Sequence, residues 1–234
     1  KFYGMEVELV DRYWPDPLPT IMDATVPQTD GFRFFYVLPL TRRRVLIEDT
    51  FFSNTPLHSH QSSATDIEKY LFDRNLHKWT IRREESGCLP MPYGASLKPT
   101  GEFPLRGGFR GGWFHAATGY SFPLASRFAD SVASVSTSET STVIASLAKQ
   151  NHFQATFSRF LNRLLFQMVT PKKRFLIFQR FYQSLNEQTI RRFYSHEFTK
   201  LDAARLLIGS PPQGLTPIKF LKSFKEKPCP VLKS

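Results

Sequence analysis

Two runs of β-branched and aromatic residues, separated by one short polar turn, restrict most strongly what this chain can fold into. The runs are residues 32–38 and 44–52, and Thr41, Arg42 and Arg43 form the turn. Such runs favour β-strands. A short polar connection between two of them predicts an antiparallel hairpin.

The hairpin is expected to belong to a sheet that spans residues 31–92 and is covered by one helix. The pattern Thr65-Asp66-Ile67-Glu68 fits a capping box, in which two side chains satisfy each other's backbone amides. It predicts a helix that opens there and ends near Leu76. Residues 79–85 and 88–92 have the composition of extended chain, so they are expected to complete the sheet.

From Gly107 onward the sequence predicts helices. A glycine-rich segment, residues 107–120, leads into a helical pattern of roughly fifteen residues, and residues 131–146 either continue that helix or form a connection. Apolar residues at spacings of three and four then predict amphipathic helices in residues 153–168, 175–185, 190–194 and 201–208. Beyond Gln213 we expect a flexible basic tail.

The net charge of +11 lies in the last third of the chain. Residues 1–150 hold 16 Lys and Arg against 16 Asp and Glu, whereas residues 151–234 hold 15 against 4. This excess favours contact with an anionic surface, or it forms a solvated basic face. No nucleic-acid-binding motif accompanies it, so lipid is favoured over nucleic acid.

Other features of the composition exclude several classes of protein. No stretch reaches the roughly 18 apolar residues that span a bilayer. Cys88 and Cys229 are far apart, which predicts a reducing cytoplasmic compartment without a disulfide framework. His58 and His60 have no nearby Cys, Asp or Glu to complete a ligand set, so we expect no metal site. The 23 Phe residues indicate an aromatic core or a pocket for a large apolar ligand.

Two adjacent carboxylates, Glu48 and Asp49, end an apolar run in the second strand of the hairpin. A carboxylate in apolar surroundings is costly unless a partner satisfies it or a proton transfer requires it. Because side chains alternate along a strand, the two are expected to point to opposite faces of the sheet, so that only one reaches a substrate directly. The alternative is a pair of structural carboxylates that form ion pairs with residues 42–44.

These segments, in their order along the chain, resemble the bacterial lycopene β-cyclases, a family of flavoproteins. The resemblance extends over nearly the whole chain to about Pro212, and its matching stretches are Pro19 to Thr25, Asp30 to Phe34, Leu46 to Thr50, Gly87 to Pro90, Gly107 to Tyr120, Arg180 to Tyr182 and Arg192 to Tyr194.

The resemblance implies an α+β fold that is part of a two-domain flavoprotein. Its expected parts are a substrate-binding antiparallel sheet region with a covering helix (1–100), the returning edge of an FAD-binding α/β domain (101–145), a helical C-terminal block (146–212) and the flexible basic tail (213–234). The family's GxGxxG turn has no counterpart here, because the glycines of residues 107–112 have the wrong spacing and context. We therefore expect this chain to be the carboxy-terminal portion of a longer enzyme and inactive alone.

The resemblance also implies a cofactor, FAD in its reduced form, with NAD(P)H as the electron source. The family's flavin-contacting turn, in which backbone amides at a helix start meet the flavin ring, is similar to the segment around residues 115–119. The expected cofactor-binding residues are Gly111, Gly112, His115, Thr118 and Gly119. Ala116 departs from the family pattern, which often has proline there, and His115 has capping or core packing as its alternative role.

The activity implied by the resemblance is closure of the ψ ends of lycopene into β-ionone rings without net redox change. An acid protonates the terminal alkene, a second alkene attacks the cation, and a base removes a ring proton in a pocket that excludes water. The candidate catalytic residues are Glu48 and Asp49, with Glu48 as the residue expected to act directly. The candidate substrate-binding residues, whose rings could stabilise the cations, are Phe32, Phe34, Tyr36, Phe51 and Phe52.

The expected partners are an acyclic carotenoid and a membrane surface, with the protein cytoplasmic and peripherally associated with the membrane. Two alternatives stay open at this point. One is a related FAD-dependent hydroxylase or epoxidase, and the other is a membrane-associated remnant that binds carotenoid without converting it.

Overall fold

The structure is a computed structural model, and it describes residues 1–91 and 99–208. These residues form two compact units. The first consists of residues 1–89 and 170–175, and the second of residues 90–91, 99–169 and 176–208. Antiparallel strands and helices are both present, so the α+β class is confirmed.

The first unit is built on a sheet of five antiparallel strands in the order β2-β3-β4-β1-β5. Their bounds are β1 Phe2–Leu9, β2 Thr20–Asp23, β3 Phe32–Pro39, β4 Arg44–Phe52 and β5 Trp79–Gly87. The predicted hairpin is confirmed as β3 and β4. The prediction missed β1, which lies between β4 and β5, and β2, at one edge of the sheet.

One helix, α1 (His60–Phe72), covers one face of this sheet. Its fully buried side chains Ile67 and Leu71 pack on alternate residues of β1, β3 and β4, as the period of two along a strand requires. Burial of such a side chain contributes about 1.5–3 kcal/mol. This packing forms the core of the first unit.

The predicted start of α1 was wrong. The helix begins five residues earlier than Thr65, because Ser59 is its N-cap and accepts a hydrogen bond from the amide of Ser62 at 3.2 Å. Thr65 instead donates its hydroxyl to the carbonyl of Gln61 within the helix. The helix also ends before Leu76, and Asn75 adopts a left-handed conformation just after it (φ 60°). Residues 88–91 form no strand, and Pro92 lies outside the described residues.

Arg174 is buried within the first unit although it is distant in sequence from the sheet. Its side chain is fully buried, Nη1 donates to the carbonyl oxygen of Phe52 at 2.9 Å, and Nη2 contacts Oδ1 of Asn54. The end of β4 is therefore held by a guanidinium group from a segment about 120 residues later in the chain.

The described part of the second unit is mainly helical. Its helices are α2 (Phe122–Ala133), α3 (Thr140–Gln150), α4 (His152–Arg163), α5 (Arg174–Ser184, from Leu176 onward), α6 (Glu187–Tyr194) and α7 (Lys200–Leu207). The helical prediction for this region is confirmed. In the stretch whose structure was left open, residues 134–139 connect α2 to the separate helix α3. One correction applies to residues 153–168, where α4 passes into a π-helical turn, Leu164–Met168. The predicted tail lies outside the described residues.

Candidate active site

The strand register gathers the site candidates of the first unit around Glu48. Glu48 lies opposite Tyr36 of β3 and opposite Gly4 of β1. Residues directly opposite each other in antiparallel strands share a face, so these three lie on the face that α1 does not cover. We call it the Glu48 face.

The Glu48 carboxylate is half-buried and has one neutral hydrogen-bond donor. Thr50 Oγ1 donates to Glu48 Oε1 at 2.6 Å. Burial raises the pKa of the Glu48 carboxyl above its ordinary value of 4.5; the bond from Thr50 opposes this shift, and the negative charge of Glu85 adds to it. A carboxyl whose pKa lies above its usual value keeps its proton at higher pH than an ordinary glutamate does, which suits it to act as a general acid.

Asp49 lies on the opposite face of β4, as the alternation predicted. It is fully buried, and Arg33 donates to both of its oxygens, from Nε at 2.8 Å and from Nη2 at 2.7 Å. Ser63 of α1 adds a hydroxyl donor, and Asp66 accepts from the same guanidinium at 2.6 Å. Asp49 therefore takes part in a buried ion pair, and the catalytic role predicted for it finds no support in these contacts.

The alternative pairing of these carboxylates with residues 42–44 does not match the contacts that we find. Arg44 forms an ion pair with Glu6, and Arg43 donates to the carbonyl of Val10. Arg42 lies over the ring of Tyr13 at 5.3 Å.

Four of the five predicted aromatic residues cluster on the Glu48 face. The ring centroid of Phe34 lies 5.2 Å from that of Phe32, 5.0 Å from that of Tyr36 and 5.6 Å from that of Phe52. Phe51 does not belong to this cluster, because the alternation along β4 turns it to the face of Asp49. There its ring contacts His58 and the guanidinium of Arg33.

The predicted cofactor residues all lie in the second unit. Gly111 and Gly112 are buried in their own turn, and a Cβ on Gly111 would come within 1.7 Å of the carbonyl oxygen of Arg106. Gly119 is different: it is half-buried and has a left-handed backbone (φ 77°), and apart from its two chain neighbours no atom of the described residues lies within 4 Å of where its Cβ would be. Of these glycines, Gly119 has room for close approach of a flat ring.

Part of the expected flavin contact does not fit this turn. The amides of Thr118 and Gly119 both donate to the carbonyl of His115, at 3.1 and 2.8 Å, and the amide of Tyr120 donates to Thr118 Oγ1 at 3.3 Å. These amides are already used within the turn, so they are not available as donors to a ring. The fit to FAD therefore rests on the open backbone at Gly119.

The ring of His115 points into the helical core and anchors the glycine-rich turn there. Its centroid lies 4.4 Å from that of Phe193 and 5.1 Å from that of His196, and Nε2 is 3.4 Å from Ser158 Oγ. Burial first, and the neighbouring His196 second, lower its pKa well below 6.5, so the ring is neutral. The contacts favour the core-packing alternative for His115.

His196 is expected to make the second unit sensitive to acid. It is buried, both of its ring nitrogens lack a hydrogen-bond partner among the described residues, and burial lowers its pKa to about 3. A histidine with a depressed pKa must stay neutral in the folded protein. The folded protein therefore keeps its full stability above the unfolded-state pKa, near 6.5, and loses stability as pH falls toward the folded-state pKa. Between pH 7 and pH 4.5 this loss is about 2.5 kcal/mol.

The test is a His196→Asn variant, since asparagine tolerates the left-handed backbone at this position (φ 59°). Urea unfolding at several pH values should give a smaller acid-dependent loss of unfolding free energy in the variant than in the parent. His152→Asn, at an exposed histidine of the same unit, should keep the parent's pH dependence. Equal slopes for the parent and His196→Asn would contradict the assignment.

An apolar cavity in the second unit was not predicted. Its volume is about 250 Å³, and it is lined mainly by apolar side chains of α4 to α7 and by Ala117 and Thr118 of the glycine-rich turn. No single segment supplies it, so the sequence alone gives no signal for it.

Neither a metal centre nor a membrane-spanning helix is found in the described parts of the chain. Within residues 1–91 and 99–208, no three His, Cys, Asp or Glu side chains form a group that could hold a metal ion. None of the helices described in these ranges has both the length and the apolar composition needed to cross a bilayer.

Sequence reasoning missed three residues that define the surroundings of the two carboxylates: Gly4, Arg33 and Glu85. The apolar alternation of Met5, Val7 and Leu9 was a usable signal for β1. The pairing of β1 with β4 and β5 depends on contacts distant in sequence, which local patterns do not report.

Comparison with known proteins adds a family to this geometry. A family profile described as "Lycopene cyclase protein" matches residues 1–219. Three curated relatives are each called lycopene beta-cyclase. That of Pseudescherichia vulneris is 38% identical over 202 residues, which cover 83% of this chain and 52% of the relative. That of a Paracoccus strain is 36% identical over 222 residues, which cover 91% of this chain and 56% of the relative. That of Pantoea ananas is 37% identical over 199 residues, which cover 83% of this chain and 52% of the relative. The chain spans about half the length of these relatives.

Proposed function

The chain belongs to the lycopene cyclase family, and from this premise we propose that it forms the carotenoid-binding, proton-handling portion of a lycopene β-cyclase. The complete protein would close the acyclic ψ ends of lycopene into β-ionone rings, an isomerisation without net redox change. The names of the three relatives support this substrate and activity.

One observation carries the proposal: a half-buried carboxyl with a raised pKa, Glu48, lies beside a buried aromatic cluster on the sheet face opposite α1. In the proposed reaction the protonated Glu48 gives its proton to the terminal alkene. The resulting cation would lie near the rings of Phe34 and Tyr36. A cation over an aromatic ring is stabilised by about 0.5–2 kcal/mol.

The hydrogen bond from Thr50 and the neighbouring aromatic rings affect which proton transfers Glu48 can perform. Thr50 donates to Oε1 and thereby orients the carboxyl. The rings of Phe32, Phe34 and Phe52 carry no nucleophilic atom, which suits a reaction whose cation water would otherwise capture as an alcohol. The base that removes the ring proton is either the Glu48 carboxylate formed in the first step or a second group.

FAD stays part of the proposal, with NAD(P)H as the source of its electrons. Its reduced form, when bound, supplies negative charge that stabilises a nearby cation. The open, half-buried backbone at Gly119 supports close approach of the ring. The proposal uses none of the amides of Thr118, Gly119 and Tyr120 as a donor to the flavin, because all three are already hydrogen-bonded within the turn.

Product analysis of the complete enzyme with lycopene tests the proposed function. We expect a product of unchanged mass whose spectrum indicates β-ionone rings. A product heavier by oxygen would instead identify a hydroxylase or epoxidase. Bound carotenoid that is recovered unchanged, from enzyme with a full complement of reduced flavin, would identify a binding protein.

A further inference from the structure

A second carboxylate, Glu85, lies on the Glu48 face two strands away from Glu48. The register aligns Glu48 of β4, Gly4 of β1 and Glu85 of β5 in one row across the sheet. Adjacent strands are about 4.8 Å apart, so the two glutamate backbones are separated by about 10 Å with only a glycine between them.

The side chain of Glu85 occupies the space that the missing side chain of Gly4 leaves. A Cβ on Gly4 would lie 3.1 Å from Glu85 Cγ and 3.4 Å from Glu85 Oε1. The same Cβ would also lie 3.4 Å from Leu46 Cδ1, so a residue larger than glycine would crowd this space. Gly4 therefore leaves room on β1 for the Glu85 side chain to extend toward β4.

The two carboxylates differ in their access to solvent. Glu48 is half-buried on an inner strand, next to the aromatic cluster. Glu85 is on the exposed edge strand β5, 31% of its side chain is accessible, and it pairs with Arg83 at 3.0 Å. The row of Glu85, Gly4 and Glu48 thus runs from the solvent-exposed edge strand to the candidate acid.

We propose that Glu85 is a positioning residue that returns a proton from solvent to Glu48 after each turnover, across the gap left by Gly4. This inference rests on the proposed function, in which Glu48 is the proton donor, with a second group as the base. Glu48 gives its proton to the substrate and becomes a carboxylate. The second group removes the ring proton and releases it to solvent, so Glu48 needs a new proton after each turnover. Glu85 in its acid form then gives its proton to Glu48, directly or through one water, and takes a new proton from solvent.

Several charged groups act on this row, among them the amino terminus of Lys1, whose positive charge lowers the pKa of Glu48. Glu6 of β1 is satisfied by Arg44 and Arg83, so it does not compete for the proton. Tyr36 of β3 lies on the other side of Glu48. Arg83, which is 55% exposed, pairs with Glu85 at the solvent side of the row.

The test compares single and multiple turnovers of the complete enzyme with Glu85→Gln. We expect the first turnover, started with protonated Glu48, to keep its rate within about twofold, and the steady-state rate to fall by about tenfold or more. Glu85→Asp should restore part of the steady-state rate. Gly4→Ala should lower it although Glu85 is retained, which provides a second variant if Glu85→Gln folds poorly.

The matched control is Glu84→Gln, because Glu84 is the neighbouring residue of β5 and contacts Tyr3 on the other face. Glu84→Gln should leave both the first-turnover rate and the steady-state rate unchanged. A readout without substrate is the pKa of Glu48, followed by infrared titration of its carboxyl band. Removal of the like charge should lower this pKa in Glu85→Gln.

The possible outcomes separate the two proposals. Steady-state turnover that stays at the parent level in both Glu85→Gln and Gly4→Ala, or a Glu48 pKa that does not move in Glu85→Gln, overturns the role of Glu85 and leaves the proposed function standing. Full activity of a Glu48→Gln variant overturns the proposed function, and the role of Glu85 with it.

Discussion

A Glu48→Gln variant of the complete enzyme is expected to lose cyclisation activity by about 10²- to 10⁴-fold, the range that general acid–base catalysis usually contributes. Glutamine has the shape of glutamate and still accepts the hydrogen bond from Thr50, but it cannot give a proton to an alkene. Fold and flavin content should therefore be unchanged. Turnover of lycopene by purified, flavin-loaded enzyme is the measurement.

The matched control is Glu68→Gln, which makes the same chemical change at an exposed position of α1, on the covered side of the sheet. It should keep the parent's activity. Parent-like turnover of Glu48→Gln would remove Glu48 as the proton donor. Equal losses in both variants would point to a general defect of the preparation.

An Arg33→Met variant is expected to lose about 3–5 kcal/mol of unfolding free energy, because it leaves the carboxylate of Asp49 buried without its partner. Urea unfolding of the chain measures this loss. The double variant Arg33→Met, Asp49→Leu should recover most of it, because replacement of both charges by apolar side chains removes the unpaired charge.

Arg82→Met is the control for Arg33. Arg82 pairs with Glu8 at 2.6 Å, but 53% of its side chain is exposed. Its loss should cost less than about 1 kcal/mol. If Arg33→Met is as stable as Arg82→Met, the buried pair does not hold β3 and β4 against α1. Normal activity per folded molecule in the double variant would assign Asp49 to structure alone.

The parts of the fold that the sequence predicted are those encoded by local periodicity. The hairpin of β3 and β4 follows from alternating aromatic and branched residues with a short turn, and the helices of the second unit follow from spacings of three and four. The start of α1 was missed because a plausible capping box at Thr65 lies inside the helix, whereas the real cap at Ser59 has no acidic partner three residues on.

The parts of the candidate site that local alternation determines could also be predicted. Alternation along β4 correctly separated Glu48 from Asp49, and the same alternation places Phe51 on the face of Asp49, outside the aromatic cluster. Gly4 and Glu85 join the site through β1, whose two neighbours in the sheet are about 40 and 80 positions away along the chain. Local patterns contain no information on such pairing.

Arg174 has a consequence for how this protein can be dissected. The backbone carbonyl oxygen of Phe52 and the side-chain Oδ1 of Asn54 accept hydrogen bonds from Arg174, so the unit that carries Glu48 is assembled from two stretches of the chain. An excised sheet that ends at residue 89 lacks this guanidinium at the terminus of β4. A minimal version of the unit needs residues 170–175 returned to it, by a linker or as a separate peptide.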